Sequence, residues 1–374
     1  MTSSTAKSGQ DLESLKKTVA TLSVLLTQLQ TTTASIDPSK TTDLNALHLA
    51  HDTASLIRAH STKLSLLIIN KPFTPSAINT VLRELVAGPL PGLASAIETC
   101  NAAKYTEAMS KELQWRAQKV FVELGALVSA IPLDGQILSD DRKNGTGATP
   151  GKGSLAATGV LWEACDAVME LKTTGISGLI IKKAEQYRDL VKDALEELKE
   201  WGEEESDGED EDEDSESDGE ADEAQDAIDK MFGSQRHIPS DDPEKIRDRL
   251  ESSKKRLQLV ILMFGAVIKR RLKTLPALPH PELPAELKAK SSEDPGIISC
   301  LDEVLKVMKK IPDITDELAT AFYELDGPEI DKRMDECFFN GFAAAELLVL
   351  NWEGQKDEFT TWASKFQVAM KKGW

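Results

Sequence analysis

The sequence predicts an all-α protein made of two helical-bundle lobes joined by a disordered acidic insert. Apolar residues recur at spacings of three and four through most of the chain, which is the period of an amphipathic helix. No stretch alternates convincingly with the two-residue period of a strand. The segment from Glu203 to Asp229 interrupts this pattern, since it holds 17 of the 63 acidic residues and none of the 44 basic ones.

The changes in composition also predict the domain organisation. A chain of 374 residues is long enough for two domains, each with its own core. We expect a disordered N-terminus over 1–10, an N-terminal helical domain over 11–201, an acidic disordered linker over 202–238 and a C-terminal helical domain over 239–374. Outside the acidic segment, 46 acids face 44 bases, so nearly all of the net charge of −19 belongs to the insert.

The individual helices follow from where the apolar period starts and stops. In the first lobe they are predicted near 12–29, 43–69, 76–87, 91–104, 106–131, 154–172 and 176–201. In the second lobe they are predicted near 243–275, 294–310, 313–325, 328–350 and 355–372. Most breaks coincide with proline or glycine, as in "GPLPG" after Ala87 and in the semi-rigid connector "LPALPHPELPAE". Asp242 before Pro243 is typical of a helix N-terminus.

The first helix carries a seven-residue repeat that allows two interpretations. The repeat is formed by Leu12, Leu15, Val19, Leu22, Leu26 and Leu29. These residues are a candidate face for a partner helix, as in an intermolecular zipper, or they face the inside of a bundle. Val24 and Leu25 widen the apolar stripe, and Lys16 is the one charge in the flanking positions, so the pattern favours a bundle helix.

Three serines of the insert are candidate phosphorylation sites. Ser206, Ser215 and Ser217 each have an acidic residue three positions later, which is the pattern read by acidophilic kinases of the casein-kinase-two type. Phosphorylation would add roughly −1.5 to −2 charges per serine to an already anionic segment. In the alternative interpretation, the serines only separate the acids of a soluble linker.

No motif predicts an enzyme, a cofactor site or a metal site. The loop "GTGATPGKG" lacks the spacing of a phosphate-binding loop, and no strand leads into it. His48, His51 and His60 lack the spacing of a zinc motif and are expected at the helix surface or in packing. An acid-rich match to a calcium-binding loop within the insert has Gln225 where a bidentate glutamate is needed.

Cysteine usage and hydropathy predict an intracellular, soluble protein without a membrane span. The four cysteines, Cys100, Cys165, Cys300 and Cys337, are widely separated and predict buried free thiols in a reducing compartment. The N-terminus lacks the apolar core of a signal peptide, and the longest apolar run, 259–268, is about half of a membrane span. Direct binding of nucleic acid is not expected at this net charge.

Two basic clusters, 254–256 and 269–271, have two interpretations. They resemble a bipartite nuclear localisation signal, which would have to be exposed and extended. Alternatively, they form a basic helix face that attracts the acidic insert of the same molecule.

Several segments together resemble the cyclin-D-interacting protein family, also called the Maid or GCIP family. These are "LVAGPLPGLASAIE" (85–98), "LWEACDAVMEL" (161–171), "AEQYRDLVKDALEELKEW" (184–201) and "IPDITDELATAFYELDGPEI" (311–330). The resemblance implies an all-α, non-enzymatic regulator of the nucleus and cytoplasm. Such proteins bind cyclin D and helix-loop-helix transcription factors, and have no DNA-contacting basic region.

Two functions are therefore expected from different classes. The first is an interaction protein that regulates cell-cycle progression or transcription by offering apolar helical surfaces to cyclin or helix-loop-helix partners. The second is a chaperone of histones or other basic proteins, in which the acidic insert is the binding element. The first predicts that the helical lobes bind without the insert, and the second predicts that binding disappears with it.

Overall fold

The chain is all-α over the residues that the structure describes, as the sequence predicts. A computed structural model describes residues 2–34, 44–145, 153–203, 237–239, 241–279 and 296–372, and no β-strand occurs among them. The helices are α1 (Thr2–Leu29), α2 (Ala46–Ile69), α3 (Pro75–Ala87), α4 (Pro89–Thr99), α5 (Ala102–Tyr105), α6 (Glu107–Ser129), α7 (Asp140–Asn144), α8 (Ser154–Glu203), α9 (Ile246–Arg270), α10 (Ile297–Tyr323), α11 (Gly327–Leu347) and α12 (Glu358–Lys372). A 3-10 turn, Leu272–Thr274, follows α9.

The N-terminal unit takes in the described residues up to Leu179 together with Leu278 and Pro279. In it, α1 packs on α3 and α6, while α2 packs on α3 and α4. Asn45 caps α2 by accepting hydrogen bonds from the backbone amides of Leu47 and His48, which would otherwise lack acceptors. α2 and α4 approach closely at Gly92, where a Cβ would come within 2.6 Å of the Thr53 methyl group.

The C-terminal unit takes in the described residues from Ile180 to Ala277 and from Gly296 onward. Its core is formed by α9, α10, α11 and α12, with α11 in contact with the other three. Asp326 caps α11 by accepting a hydrogen bond of 3.0 Å from the backbone amide of Glu329. Asp242, the expected cap, lies four residues before α9 but still accepts bonds from the amides of Ile246 and Arg247.

The last part of α8 belongs to the C-terminal unit, although the sequence grouped 176–201 with the first lobe. Gly175, at φ 61° and ψ −177°, interrupts α8 in a conformation that is essentially restricted to glycine. Beyond it, the Trp201 ring lies 6.0 Å from that of Phe322, and the Tyr323 hydroxyl donates a 2.7 Å hydrogen bond to Glu197. The predicted linker, 202–238, falls mostly outside the described residues and stays a prediction.

Two helices extend beyond their predicted ends. α1 begins at Thr2, where the sequence predicted a disordered N-terminus over 1–10; no proline stops the helix there, and each added residue gains a backbone hydrogen bond. α10 runs through Pro312, where the sequence predicted a break. The apolar stripe continues on both sides of this proline, since Ile311 and Ile314 are both buried, and this packing outweighs the lost backbone donor.

Candidate partner-binding surfaces

The repeat of α1 lies inside the N-terminal bundle. Leu15, Leu22 and Leu26 are at most 1% exposed, Val19 is buried as well, and Leu12 and Leu29 are half-buried at the two ends. The stripe faces α3 and α6, and α6 has a glycine, Gly125, opposite Leu26. This is the packing that the bundle interpretation expects. A partner helix could reach these side chains only after α1 had left the bundle, so their role as a partner face stays a prediction.

The outer face of α6 carries an exposed apolar strip with basic residues. We call Lys111, Trp115, Lys119 and Val122 the α6 strip; they follow each other at spacings of four, four and three on one face of the helix. The Trp115 side chain is 61% exposed, and that of Val122 is 49% exposed. Lys111 forms an ion pair with Glu107 one turn earlier. An exposed tryptophan beside a second exposed apolar residue is the kind of surface that partners cover.

An ion-pair cluster fixes the rotation of α6 and so keeps the strip outward. The Arg116 guanidinium, 11% exposed, donates hydrogen bonds to Glu112 at 2.9 Å, to Glu170 of α8 at 3.0 Å and to the carbonyl oxygen of Ala167 at 2.5 Å. Arg116 therefore ties one side of α6 to α8. Trp115 immediately precedes Arg116 and lies about 100° away from it around the helix, so a rotation of α6 that turned Trp115 inward would break this cluster.

The exposure of this strip could have been predicted from the sequence once the buried face of α6 had been identified. Leu113, Val120 and Leu124 predict the buried face of α6, and all three are fully buried. At 100° per residue, Trp115 lies almost opposite the centre of that face. An aromatic residue opposite the apolar stripe of an amphipathic helix is therefore a usable indicator of a surface site.

Three of the six basic residues in the clusters at α9 form ion pairs within the C-terminal unit. Lys254 pairs with Glu251 at 3.0 Å, and Arg256 pairs with Asp335 at 2.8 Å. Arg271 is 1% exposed. The folded unit thus does not present the full second cluster to a receptor, nor a continuous free basic face to the insert, because surface charges that already have partners contribute little to a further field.

Arg271 holds together three parts of the C-terminal unit. Its guanidinium forms a two-pronged ion pair with Asp357, with distances of 2.6 and 2.7 Å, and donates to the carbonyl oxygen of Leu348 at 2.8 Å. The carbonyl oxygen of Arg271 accepts from the Trp352 indole at 2.9 Å. The hydrogen bonds from the Arg271 guanidinium keep the pKa of Asp357 well below its usual range, with help from the backbone amide of Thr360.

The thiols and histidines lie in the packed interior or at the surface of helices, and Cys300 is half-buried. Cys100, Cys165 and Cys337 are buried, and burial raises the pKa of each thiol to about 12, so they remain protonated and unreactive at neutral pH. His51 contacts Asp52 at 2.8 Å on the surface of α2, while burial lowers the pKa of His60. In the part of the chain that the structure describes, no three His, Cys, Asp or Glu residues are grouped as metal ligands.

Some sequence predictions lie outside the described residues or concern membranes. Ser206, Ser215 and Ser217, the match to a calcium-binding loop and most of the glycine loop at 145–153 are not described, so they stay predictions. Within the described residues, every helix is too short or too polar to cross a bilayer.

Comparison with known proteins supports the resemblance found in the sequence. Residues 50–204 match the family model described as Grap2 and cyclin-D-interacting, N-terminal. The chain is also similar to an uncharacterized protein of Schizosaccharomyces pombe, with 25% identity over 331 residues, which cover 86% of this chain and 82% of the yeast protein. The matched residues include α6 with its strip. Over residues 50–204, the chain is therefore similar to the N-terminal part of the Grap2 and cyclin-D-interacting family.

Proposed function

We propose that this chain is a non-enzymatic regulator that binds helical partner proteins and thereby controls cell-cycle progression or transcription. The partners are cyclins or helix-loop-helix proteins, and the protein acts in the nucleus and cytoplasm. The family description supports protein binding and names cyclin D. The observation that carries the proposal is the α6 strip, because it combines an exposed tryptophan with a place inside the matched residues.

The strip has the spacing by which one helix anchors to another. Trp115 and Val122 are seven residues apart, so a partner helix lying along α6 would contact both. Tryptophan offers a large apolar surface with few rotatable bonds, which is why it is enriched among residues that dominate binding energy. Lys119, between them, would lie at the edge of this contact and favour an acidic residue on the partner.

Trp115→Ala is expected to weaken binding to purified cyclin D by about 30-fold, which corresponds to roughly 2 kcal/mol for a central interface residue. The loss would follow from the missing indole contact, since an exposed side chain contributes little to folding. Isothermal titration calorimetry with the full chain at about 0.15 M salt measures the affinity, and circular dichroism verifies the fold.

Phe339→Ala provides the matched control. Phe339 lies on α11 and is 58% exposed. Its substitution by alanine therefore removes a comparable exposed aromatic surface from the other unit. We expect it to change the affinity for cyclin D by less than about twofold. If both variants bind like the wild type, the α6 strip is not the binding surface; if Phe339→Ala alone weakens binding, the surface lies in the C-terminal unit.

The charge of the insert favours a second candidate function, a chaperone of histones or other basic proteins. Deletion of residues 203–229 would distinguish this function from the first. If the helical units bind the partner, the deletion should change the affinity for cyclin D by less than about threefold, and about 0.5 M salt should preserve it. Loss of cyclin D binding in the deletion variant, with salt-sensitive binding of core histones by the full chain, would favour the chaperone. Phosphorylation at Ser206, Ser215 and Ser217 would strengthen any such charge effect.

A further inference from the structure

A groove of about 410 Å³ lies between α1 and α3 in the N-terminal unit. We call it the α1–α3 groove; its walls include Ser14, Lys17, Thr18 and Thr21 from α1 and Arg83 and Val86 from α3. It is separate from the α6 strip, because all of its lining residues belong to α1 and α3. Leu22 and Ala87 also line it, so the groove has apolar as well as polar walls.

The groove offers hydrogen-bond donors and no acid. The hydroxyl groups of Thr18 and Thr21 donate to backbone carbonyl oxygens of α1, so their protons are already used. Ser14 differs, since its oxygen accepts a 3.0 Å hydrogen bond from the side-chain amide of the buried Asn79, which leaves the Ser14 proton to donate elsewhere. Together with Lys17 and Arg83, Ser14 gives three donors, a set that suits an anion.

The two cations have no acid opposite them in the groove. Among the described residues, no ion pair joins Lys17 or Arg83 to a carboxylate, and both side chains are exposed. The nearest acid along α1, Glu13, has its pKa lowered mainly by its hydrogen bond to Lys16, with the charge of Lys17 as the smallest contribution. Glu84, beside Arg83 in the sequence, lies 3.3 Å from His60 instead.

We propose that the α1–α3 groove binds an acidic peptide segment of a partner protein. Carboxylates of the segment are held by Lys17, Arg83 and the Ser14 hydroxyl, while small apolar side chains between them contact Val86. The volume and the apolar lining residues fit a peptide better than a single inorganic anion. Two cations in a chain of net charge −19 do not supply the many phosphate contacts that a nucleic acid needs.

The test uses a short fluorescein-labelled peptide in which glutamates alternate with alanine and valine, and measures fluorescence anisotropy with the full chain. Lys17→Glu combined with Arg83→Glu is expected to weaken binding by about tenfold or more, since each reversal replaces attraction by repulsion. The same peptide with glutamine at every glutamate position should bind at least about tenfold more weakly to the wild type. The double variant should keep the melting curve of the wild type, because both cations are exposed and unpaired among the described residues.

A control of equal charge separates the groove from the general field of the protein. Lys63→Glu combined with Arg142→Glu makes the same change in net charge at two exposed positions of the same unit, outside the groove. We expect this double variant to change peptide affinity by less than about twofold at about 0.15 M salt. Equal losses in both double variants would overturn the proposal, and so would equal binding of the glutamate and glutamine peptides. A failure here leaves the α6 strip untouched, because cyclin D binding is measured separately with Trp115→Ala.

Discussion

Arg271→Met should lower the free energy of unfolding of the C-terminal unit by about 3 kcal/mol, at the lower end of the usual cost of breaking a buried ion pair. The substitution leaves Asp357 without its cation and the carbonyl oxygen of Leu348 without its donor. Methionine keeps part of the apolar volume next to Phe359, whose ring centre lies 4.3 Å from the guanidinium carbon, so the loss is mainly polar. We place the value at the lower end because the Asp357 side chain is 34% exposed.

Hydrogen exchange of the α9 and α12 amides measures this effect within the full chain, since a chain with two units need not unfold in one step. Arg270→Met is the matched control: it removes the same side chain one residue earlier, at an exposed position, and should cost less than about 0.5 kcal/mol. Equal exchange rates in the two variants would show that the buried cluster does not stabilise the unit.

The same cluster predicts a loss of stability in acid. The pKa of Asp357 is lower in the folded protein than in the unfolded chain, so the unfolded state binds more protons as the pH falls below the usual value of about 4. The stabilisation is therefore complete above that value and disappears as the pH falls toward the folded pKa. Arg271→Met should reduce this acid dependence, because the cation that lowers the pKa is absent.

Leu26→Ala should destabilise the N-terminal unit by about 2 to 5 kcal/mol, the usual cost of truncating a buried leucine. Leu26 is 1% exposed, and its side chain lies against Gly125 of α6. The truncation opens a cavity where α1 meets α6 and removes apolar contacts that solvent cannot replace. Urea unfolding followed by circular dichroism, with hydrogen exchange in α1 and α6, measures the loss.

Val24→Ala is the control on the same helix. Val24 is two residues away and 60% exposed, so its truncation should change stability by less than about 0.5 kcal/mol. An intermolecular zipper would give a different result: Leu26→Ala would then alter the concentration dependence of sedimentation while the monomer kept its stability. That outcome would mean that the stripe pairs chains instead of completing the bundle.

The fold follows closely from the sequence where the pattern is local. The period of apolar residues gives most helices, and Gly175 ends a helical segment at the predicted place. The sequence prediction is wrong at Pro312, where it expects a break in the helix. Local proline rules ignore the buried contacts on both sides of this residue. The sequence also makes Arg271 look like one of three surface bases in "KRR". In the structure it is buried and pairs with Asp357, which is 86 residues away. Such a long-range pair leaves no periodic trace.

The candidate surfaces were harder to predict for the same reason. The leucine repeat of α1 allows both a partner face and a buried face. A stripe that a partner could bind and a stripe that a bundle buries have the same sequence pattern. Trp115 was part of a correctly predicted helix, yet its exposure depends on which neighbours cover that helix. The α1–α3 groove combines residues from positions 14 to 87, so its donors meet only after folding.

The break at Gly175 also has a consequence for how pieces of this protein would behave. The matched segment, 50–204, and the two compact units do not coincide. A fragment cut at the homology limits would lack α1, with Leu15 and Leu22, and would carry the end of α8 without the helices that cover Leu198 and Trp201. Its exposed apolar side chains would bind unrelated proteins and detergents nonspecifically. The residues that match the family model therefore comprise, in this protein, one incomplete bundle and a piece of another.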